Sequence, residues 1–268
     1  MTDPDPPAPR RAPLDFTVPT STRMSDFALG GKDNFKPDRA IAQRLLETLP
    51  ALSLLPRENR KFMRRAVRHL LAAGVRQFVD VGCGLPGKGN VHQIVHGTDP
   101  DGTVVYVDHD PVAVVHFQAL LHQVRGATAV RGDARDPAAI LRLPEVTALI
   151  DFDRPVGVLM CGVLSQIRDE EDPEGVVAAF RDAMAPGGHL ALCDITADGM
   201  PAEDLARTES LLQEAGLVSL FRGRERITGF FDGFELLEPG VVPSPDWRPD
   251  RPYDPPSGRL LAAVARKP

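Results

Sequence analysis

Three aspartates and a glycine-rich turn are the residues of this sequence best placed to do chemistry. Phe78-Val79-Asp80-Val81 is a short apolar run around a carboxylate, and Gly82-Cys83-Gly84-Leu85-Pro86-Gly87-Lys88-Gly89-Asn90 follows it directly. A glycine turn after a strand lets a ligand lie against the backbone at the carboxyl edge of a sheet. The next apolar run, Val104–Val107, leads into a second carboxylate, Asp108. A third run, Thr128–Val130, is followed by Arg131-Gly132-Asp133-Ala134.

Four chemistries compete for these residues. A phosphate-cradling loop would use Gly82, Gly87 and Lys88, but Gly89 has no hydroxyl for a magnesium ion. A dinucleotide fingerprint matches Gly82, Gly84 and Gly87 by letter. Its last glycine belongs inside a helix, whereas Pro86, Gly87 and Gly89 keep this chain in a loop until Asn90. His92 and His96 have the spacing of a zinc pair, but Gln93 cannot act as a base and no third ligand follows. They read as two histidines on a helix surface, and no metal is expected. The ordered acids fit S-adenosylmethionine. Asp80 and the short turn would hold its amino-acid part, Asp108 would accept both ribose hydroxyls, and the Asp133 segment would meet the adenine. Two carboxylates repel phosphate, which favours a nucleoside over a nucleotide. Taken singly, each acid reads equally as a solvated strand end.

The elements that must position these residues alternate. Apolar runs at Phe78–Val81, Val104–Val107, Thr128–Val130, Val156–Met160 and Leu190–Leu192 are separated by helical patterns. Those patterns fall at Asn90–His96, Pro111–Val124, Ala138–Leu143, Pro173–Met184 and Pro201–Glu214. Strict alternation predicts a doubly wound α/β sheet, mostly parallel, with helices on both faces. Two last strands, Phe234–Val242 and Arg259–Ala265, have no helix between them and are expected to pair antiparallel. Two helices come first, opened by Pro37 and Pro56. The second has a basic face of Arg57, Arg60, Lys61, Arg64, Arg65 and Arg68, which reads as solvated. The expected organisation is a disordered leader over 1–19, a helical addition over 20–75 and the binding domain over 76–268. The proline-rich end around Val241, Val242, Trp247 and Tyr253 reads as ordered and turn-rich.

Composition narrows the partners. The chain has 268 residues, 43% hydrophobic and 25% charged, with net charge −6. That balance argues against a broad electrostatic grip on nucleic acid. No run approaches the roughly 18 apolar residues of a membrane helix, and residues 1–20 lack a signal-peptide core. Cys83, Cys161 and Cys193 stand far apart with no CxxC, as in a reducing compartment. A cytoplasmic location is expected.

Longer motifs add a resemblance. They include Arg23-Met24, Leu29-Gly30-Gly31-Lys32-Asp33-Asn34-Phe35, Glu58-Asn59-Arg60, Gly84-Leu85-Pro86, Asn90-Val91-His92 and Val105-Tyr106-Val107-Asp108. Others are Arg135-Asp136-Pro137, Phe231-Asp232-Gly233, Glu238-Pro239-Gly240 and Trp247-Arg248-Pro249. From Pro19 to the C-terminus the chain resembles an actinobacterial family of S-adenosylmethionine-dependent methyltransferases, formerly classed as a domain of unknown function. The resemblance implies the class I, Rossmann-like sheet of seven strands, and S-adenosylmethionine as cofactor with S-adenosylhomocysteine as product. It implies Asp80, Gly82, Cys83, Gly84, Asp108, His109, Asp133, Ala134, Cys161 and Asn34 as cofactor-binding residues. It supplies no acceptor; a small molecule is expected, by direct in-line transfer, and the oligomeric state stays open. The chain departs from the family at Ser165 and Asp194, where histidine is usual, and at Cys83 and His109, where threonine and asparagine are. No nucleophilic side chain is required, and Asp194, His109 and Asp33 remain candidates for a base. The segment Leu29–Phe35 is a plausible lid, with a helix-connecting turn as its alternative. The lost histidines leave a non-catalytic cofactor-binding or regulatory protein as the second reading.

Overall fold

In the computed structural model, which describes residues 15–250 and 256–268, strands stand where the apolar runs predict them. Helices α1 (Ser21–Ala28), α2 (Lys36–Thr48) and α3 (Leu55–Ala72) come first. They are followed by β1 (Gln77–Val81), α4 (Val91–His96), β2 (Thr103–Asp108), α5 (Pro111–Leu121) and β3 (Ala127–Arg131). Two short helices, α6 (Pro137–Leu141) and α7 (Pro144–Leu149), lead to β4 (Val156–Cys161). Next come α8 (Pro173–Ala183), β5 (His189–Ile195), α9 (Ala202–Glu214) and α10 (Arg224–Gly229). The chain closes with β6 (Glu235–Leu236), β7 (Val242–Pro243) and β8 (Leu260–Arg266). Residues 1–14 of the expected leader, and Tyr253, lie outside the described residues.

The strands form one sheet in the order β3-β2-β1-β4-β5-β8-β6, with β7 also pairing β8. The first five are parallel, and β8 runs antiparallel to β5, β6 and β7. The sheet therefore has eight strands rather than the seven expected. The single strand predicted over Phe234–Val242 is two short ones, because Pro239 has no N–H for a ladder and Gly240 turns the chain at φ +81°.

Burial on both faces explains why the strands read as continuous apolar runs. On β1, Val79 and Val81 enter one core with Val105, Val107, Val158, Met160 and residues of α8 and α10. Phe78 enters the other, with Phe62, Ala66, Val67 and Leu70 of α3 and Tyr106, Phe117 and Leu159. Side chains alternate along a strand, so Asp80 shares the α3 face with Phe78. Helix α3 thus forms a layer of the sheet's own core, while α2 packs on α1 and on α9.

Aspartate–proline pairs start several helices. Asp110-Pro111, Asp136-Pro137 and Asp172-Pro173 open α5, α6 and α8, each aspartate accepting a backbone N–H of the first turn. Helices α1, α7 and α10 have no counterpart in the sequence reading; they are six to eight residues long, too short for an apolar period to register. No helix among the described residues is long and apolar enough to cross a membrane.

Candidate functional site

At the carboxyl edge of the sheet two cavities of about 240 and 260 Å³ adjoin, sharing Ser21, Thr22, Gly82 and Gln166 in their linings. The first is lined by Asp80, Cys83, Gly84, Asn59, Arg60 and Cys161, among others. The second is lined by Asp108, His109, Asp133, Ala134 and Arg135. Gly82 sits at the junction with φ +71°, and a Cβ there would stand 2.8 Å from the Val163 side chain. Only glycine fits that turn without displacing its neighbour.

The acids differ in what they already hold. Asp108 is 2% exposed. Its Oδ1 accepts the Asp110 N–H at 2.8 Å and its Oδ2 the Gly84 N–H at 2.8 Å. Burial raises its carboxyl above the usual range, against those two hydrogen bonds and nearby His109. Asp80 is 7% exposed, and its carboxylate makes no hydrogen bond among the described residues. Burial pushes it up to about 7, opposed by Arg60 and reinforced by Asp108. Burial likewise pushes the Cys83 thiol up. Asp133 is clamped by Arg135, whose Nε and Nη2 reach its carboxylate at 2.9 and 2.5 Å; this pairing holds Asp133 below its usual range.

Helix α3 departs from its expected role. Its basic face is solvated only in part: Arg57 and Lys61 are exposed, whereas Arg60, Arg64, Arg65 and Arg68 each find a carbonyl or carboxylate on a neighbouring segment. Arg60 donates to the Leu85 carbonyl at 2.6 Å and Arg64 to that of Lys88, tying the glycine-rich loop at its middle and near its end. Buried Arg65 holds the Trp247 and Ser244 carbonyls at 2.8 and 2.5 Å, and Arg68 pairs with Asp250. Glu58 accepts from Ser257 N and Oγ at 2.6 and 2.7 Å, while Asn59 donates to the Cys161 carbonyl at 2.7 Å.

Helix α1 covers the edge from above. Ser21, Thr22, Ser25, Asp26 and Leu29, one helical face, line the first cavity. Arg23 anchors the helix: it is buried, 3.3 Å from Asp38, bonded to Thr20 and stacked over Phe35. Thr20 in turn donates to Asp110 at 2.9 Å, linking α1 to the start of α5. Asn34, expected at the cofactor, lines neither cavity. Its Nδ2 donates to Asp26 and to the Gly31 carbonyl, and its Oδ1 accepts from Arg39, so the side chain is spent inside the loop. Apart from Leu29, the face of α1 and not the loop Leu29–Phe35 lines the cavity. A Cβ at Gly31 would run into the Asp26 carboxylate, which would have to shift away from its Asp33 and Asn34 donors.

His92 corrects the surface reading. It is buried, with Nδ1 2.8 Å from the Tyr106 hydroxyl, because the lower face of α4 packs on β2. His96 Nε2 lies 3.0 Å from the Gly102 carbonyl. Of the candidate bases, Asp33 is exposed beside His116 and lines neither cavity, and His109 is exposed at the second. Asp194 is fully buried behind Ser165, which lines the first cavity. The two positions expected to depart from histidine are thus in contact, with Ser165 N donating to Asp194 Oδ1 at 3.2 Å.

The sequence reading missed Asp26, Ser25, Asn59 and Gln166 as lining residues and read Arg60 as solvent-facing. The signal for α1 was present: Ser21, Ser25 and Leu29 recur every four residues beside Thr22 and Asp26. It is a polar stripe, which a search for apolar faces passes over.

A family model described as S-adenosyl methyltransferase matches residues 7–268. Among solved structures, the chain is similar to a provisionally assigned methyltransferase from Thermobifida fusca YX. They share 39% identity over 95% of this chain and 97% of that one, with a TM-score of 0.89. It is also similar to a DUF574 family protein from Streptomyces avermitilis, at 33% identity, 96% and 100% coverage and a TM-score of 0.90. An O-methyltransferase family protein from Burkholderia thailandensis shares the fold at 17% identity and a TM-score of 0.50, over 81% of this chain and 58% of that one. No protein of curated function matches the chain.

Proposed function

The chain belongs to the S-adenosyl methyltransferase family and is an S-adenosylmethionine-dependent methyltransferase; on that premise we propose that the two cavities form one donor site with a small-molecule acceptor beside it. When bound, the donor supplies a methyl group already activated by its sulfonium charge. The protein's own work is then to hold both reactants in line and exclude water.

The observation that carries this reading is the unfinished coordination of Asp108. A carboxylate offers about four lone-pair positions. The Asp110 and Gly84 N–H groups take one on each oxygen and the Cys83 thiol reaches Oδ2 weakly at 4.0 Å, so one ribose hydroxyl would take the open position on Oδ1 and the other would displace the thiol at Oδ2. His109, Asp133 and Ala134 then border the adenine. At the other end, Asp80 and Arg60 offer a buried anion and a cation to the ammonium and carboxylate of the methionine part. An ammonium beside Asp80 would draw its carboxyl back down from about 7 and relieve the cost of its burial. Gly82, Cys83 and Gly84 let that part approach the backbone, and Cys161 and Gly162 border the transferred methyl. The acceptor space lies between α1 and the residues Ser165, Ile195, Ser219 and Leu260. Helix α1 serves as the lid over it.

The test is ligand-dependent stability. S-adenosylhomocysteine at about a hundredfold Kd should raise Tm by about 5–10 °C, whereas NAD, whose pyrophosphate would meet Asp80 and Asp108, should not. Equal stabilisation by both would remove the nucleoside assignment.

A further inference from the structure

Beneath the acceptor end of the cleft lies a carboxylate with no role so far. Asp194, on β5, is 0% exposed. Its Oδ1 accepts the N–H groups of Ile195 at 3.0 Å and Ser165 at 3.2 Å. Its Oδ2 is buried and has no hydrogen-bond partner. The nearest cation, Arg222 Nη1, stands 3.7 Å away and donates instead to the Leu164 carbonyl at 2.8 Å. The rest of that guanidinium is occupied by the Ile167 carbonyl and Asp169. An orphaned carboxylate oxygen in a protein interior is costly, and hydrophobic packing gives it nothing in return.

Ser165 joins this group to the cavity. It lines the first cavity, its Oγ donates to the Gly162 carbonyl at 3.4 Å, and its hydroxyl favours the charged form of Asp194 without a hydrogen bond to Oδ2. One hydroxyl therefore separates the acceptor space from a buried carboxylate. The other acids of that cavity are engaged elsewhere. Asp26 accepts from Asp33 N and Asn34 Nδ2, and Asp80 stands on the far side, at the glycine turn.

We propose that Ser165 and Asp194 form a proton exit for the methyl acceptor, and that the acceptor is a hydroxyl compound; the proposal rests on the methyltransferase site described above. A hydroxyl keeps its proton until transfer, whereas an amine can enter with its lone pair already free. The acceptor oxygen bonds the methyl carbon as the carbon–sulfur bond breaks, with that electron pair retained by sulfur. The acceptor proton passes to Ser165 Oγ while the Ser165 hydroxyl turns from the Gly162 carbonyl and passes its own proton to Asp194 Oδ2. A sulfonium and a carboxylate thereby become a thioether and a carboxylic acid.

The surroundings suit a base that works near neutrality. Burial raises the Asp194 carboxyl to about 7, opposed by Arg222 and by the Ile195 and Ser165 donors. Around it stand Arg222 with Asp169 behind it, and on its own strand Cys193, whose thiol burial and Cys161 push up. A base matched to the working pH is the most effective kind.

The experiment is a carbon-13 NMR titration of aspartate carboxyls in the full chain, saturated with S-adenosylhomocysteine, with Asp194→Asn assigning the resonance. Asp194 should titrate between pH 6 and 8. In Ser165→Ala, which removes a hydroxyl that favours the charged form, its midpoint should move up by about half a unit or more. Ser165→Ala also assigns the signal should Asp194→Asn fail to fold. With labelled S-adenosylmethionine and a panel of small alcohols, phenols and amines, Ser165→Ala should cut kcat for hydroxyl acceptors about tenfold or more, with donor KM within twofold. A carboxyl that stays ionised down to pH 5, or ignores Ser165, overturns the proposal; so does transfer to amines alone at an unchanged rate. If S-adenosylhomocysteine does not raise Tm, the donor-site reading itself fails, a distinct result from a bound ligand over an inert Asp194.

Discussion

Asp80 is buried at a cost that none of its neighbours fully offsets. Its carboxyl rises from 3.8 to about 7, so between those values the folded protein holds a proton that the unfolded chain has released. Stability therefore falls as pH rises through that window, and the full penalty persists above it. Asp80→Asn should raise Tm by a few degrees at pH 8, change it little at pH 4, and weaken S-adenosylhomocysteine binding. A Tm gain of equal size at both pH values would show that ionisation is not the cause. Such a residue trades stability for binding, as functional sites commonly do. Asp108 is also raised by burial, but two backbone donors offset part of that cost and hold its carboxylate in place. Asp108→Ala should abolish most of the thermal shift from S-adenosylhomocysteine, because hydrogen bonds to a charged acceptor are worth about 1.5–3 kcal/mol each. Isothermal titration of the variant checks this directly; affinity within twofold of wild type would refute the ribose assignment.

At the scale of elements, α3 holds the site together from one side and α1 closes it from the other. Glu58, Asn59 and Arg60 are consecutive, yet they bond to Ser257, to the end of β4 and to the glycine-rich loop. Arg65 binds two carbonyls of the segment after β7 in a buried position, so Arg65→Ala leaves both unsatisfied. It should cost about 2–4 kcal/mol in urea unfolding; a loss under 1 kcal/mol would mean those bonds are replaced by water. Helix α1 makes few apolar contacts, with Arg23 its one buried residue. Its amide exchange should slow on S-adenosylhomocysteine binding by more than that of distant α8, as expected of a lid drawn from the less stable part of a fold. Equal behaviour of the two helices would make α1 a fixed wall.

For the molecule as a whole, the last strand is structurally central although it is last in sequence. β8 lies between β5 and β6, buried from Leu260 to Ala265, and contributes to both cores. Removing residues 259–268 would open the sheet beside β5, including the strand that carries Asp194. The truncated chain should fail to accumulate as soluble, cooperatively melting protein; a sharp thermal transition from it would show that the first five strands suffice.

Periodicity and glycine placement were enough to read the parallel sheet, its two helical layers and the acids at its carboxyl edge. These depend on local rules: a doubly buried strand must be apolar throughout, and a ligand turn must be small. Asp80, Asp108 and Asp133 could be placed in order because each follows or ends its own strand. Partnerships between distant segments were not legible in that way. Arg60, Arg64 and Arg65 look like any basic helix face until the glycine loop and the Trp247 segment supply their carbonyls. His92 looks exposed until β2 brings Tyr106 beneath it, and Asn34 looks available until Asp26 and Arg39 bind it. Ser165, in the turn after β4, and Asp194, near the end of β5, stand 29 residues apart, and only the pairing of β4 with β5 makes them neighbours. Periodicity is a property of consecutive residues; hydrogen-bond satisfaction and desolvation depend on whatever the fold brings within about 3 Å.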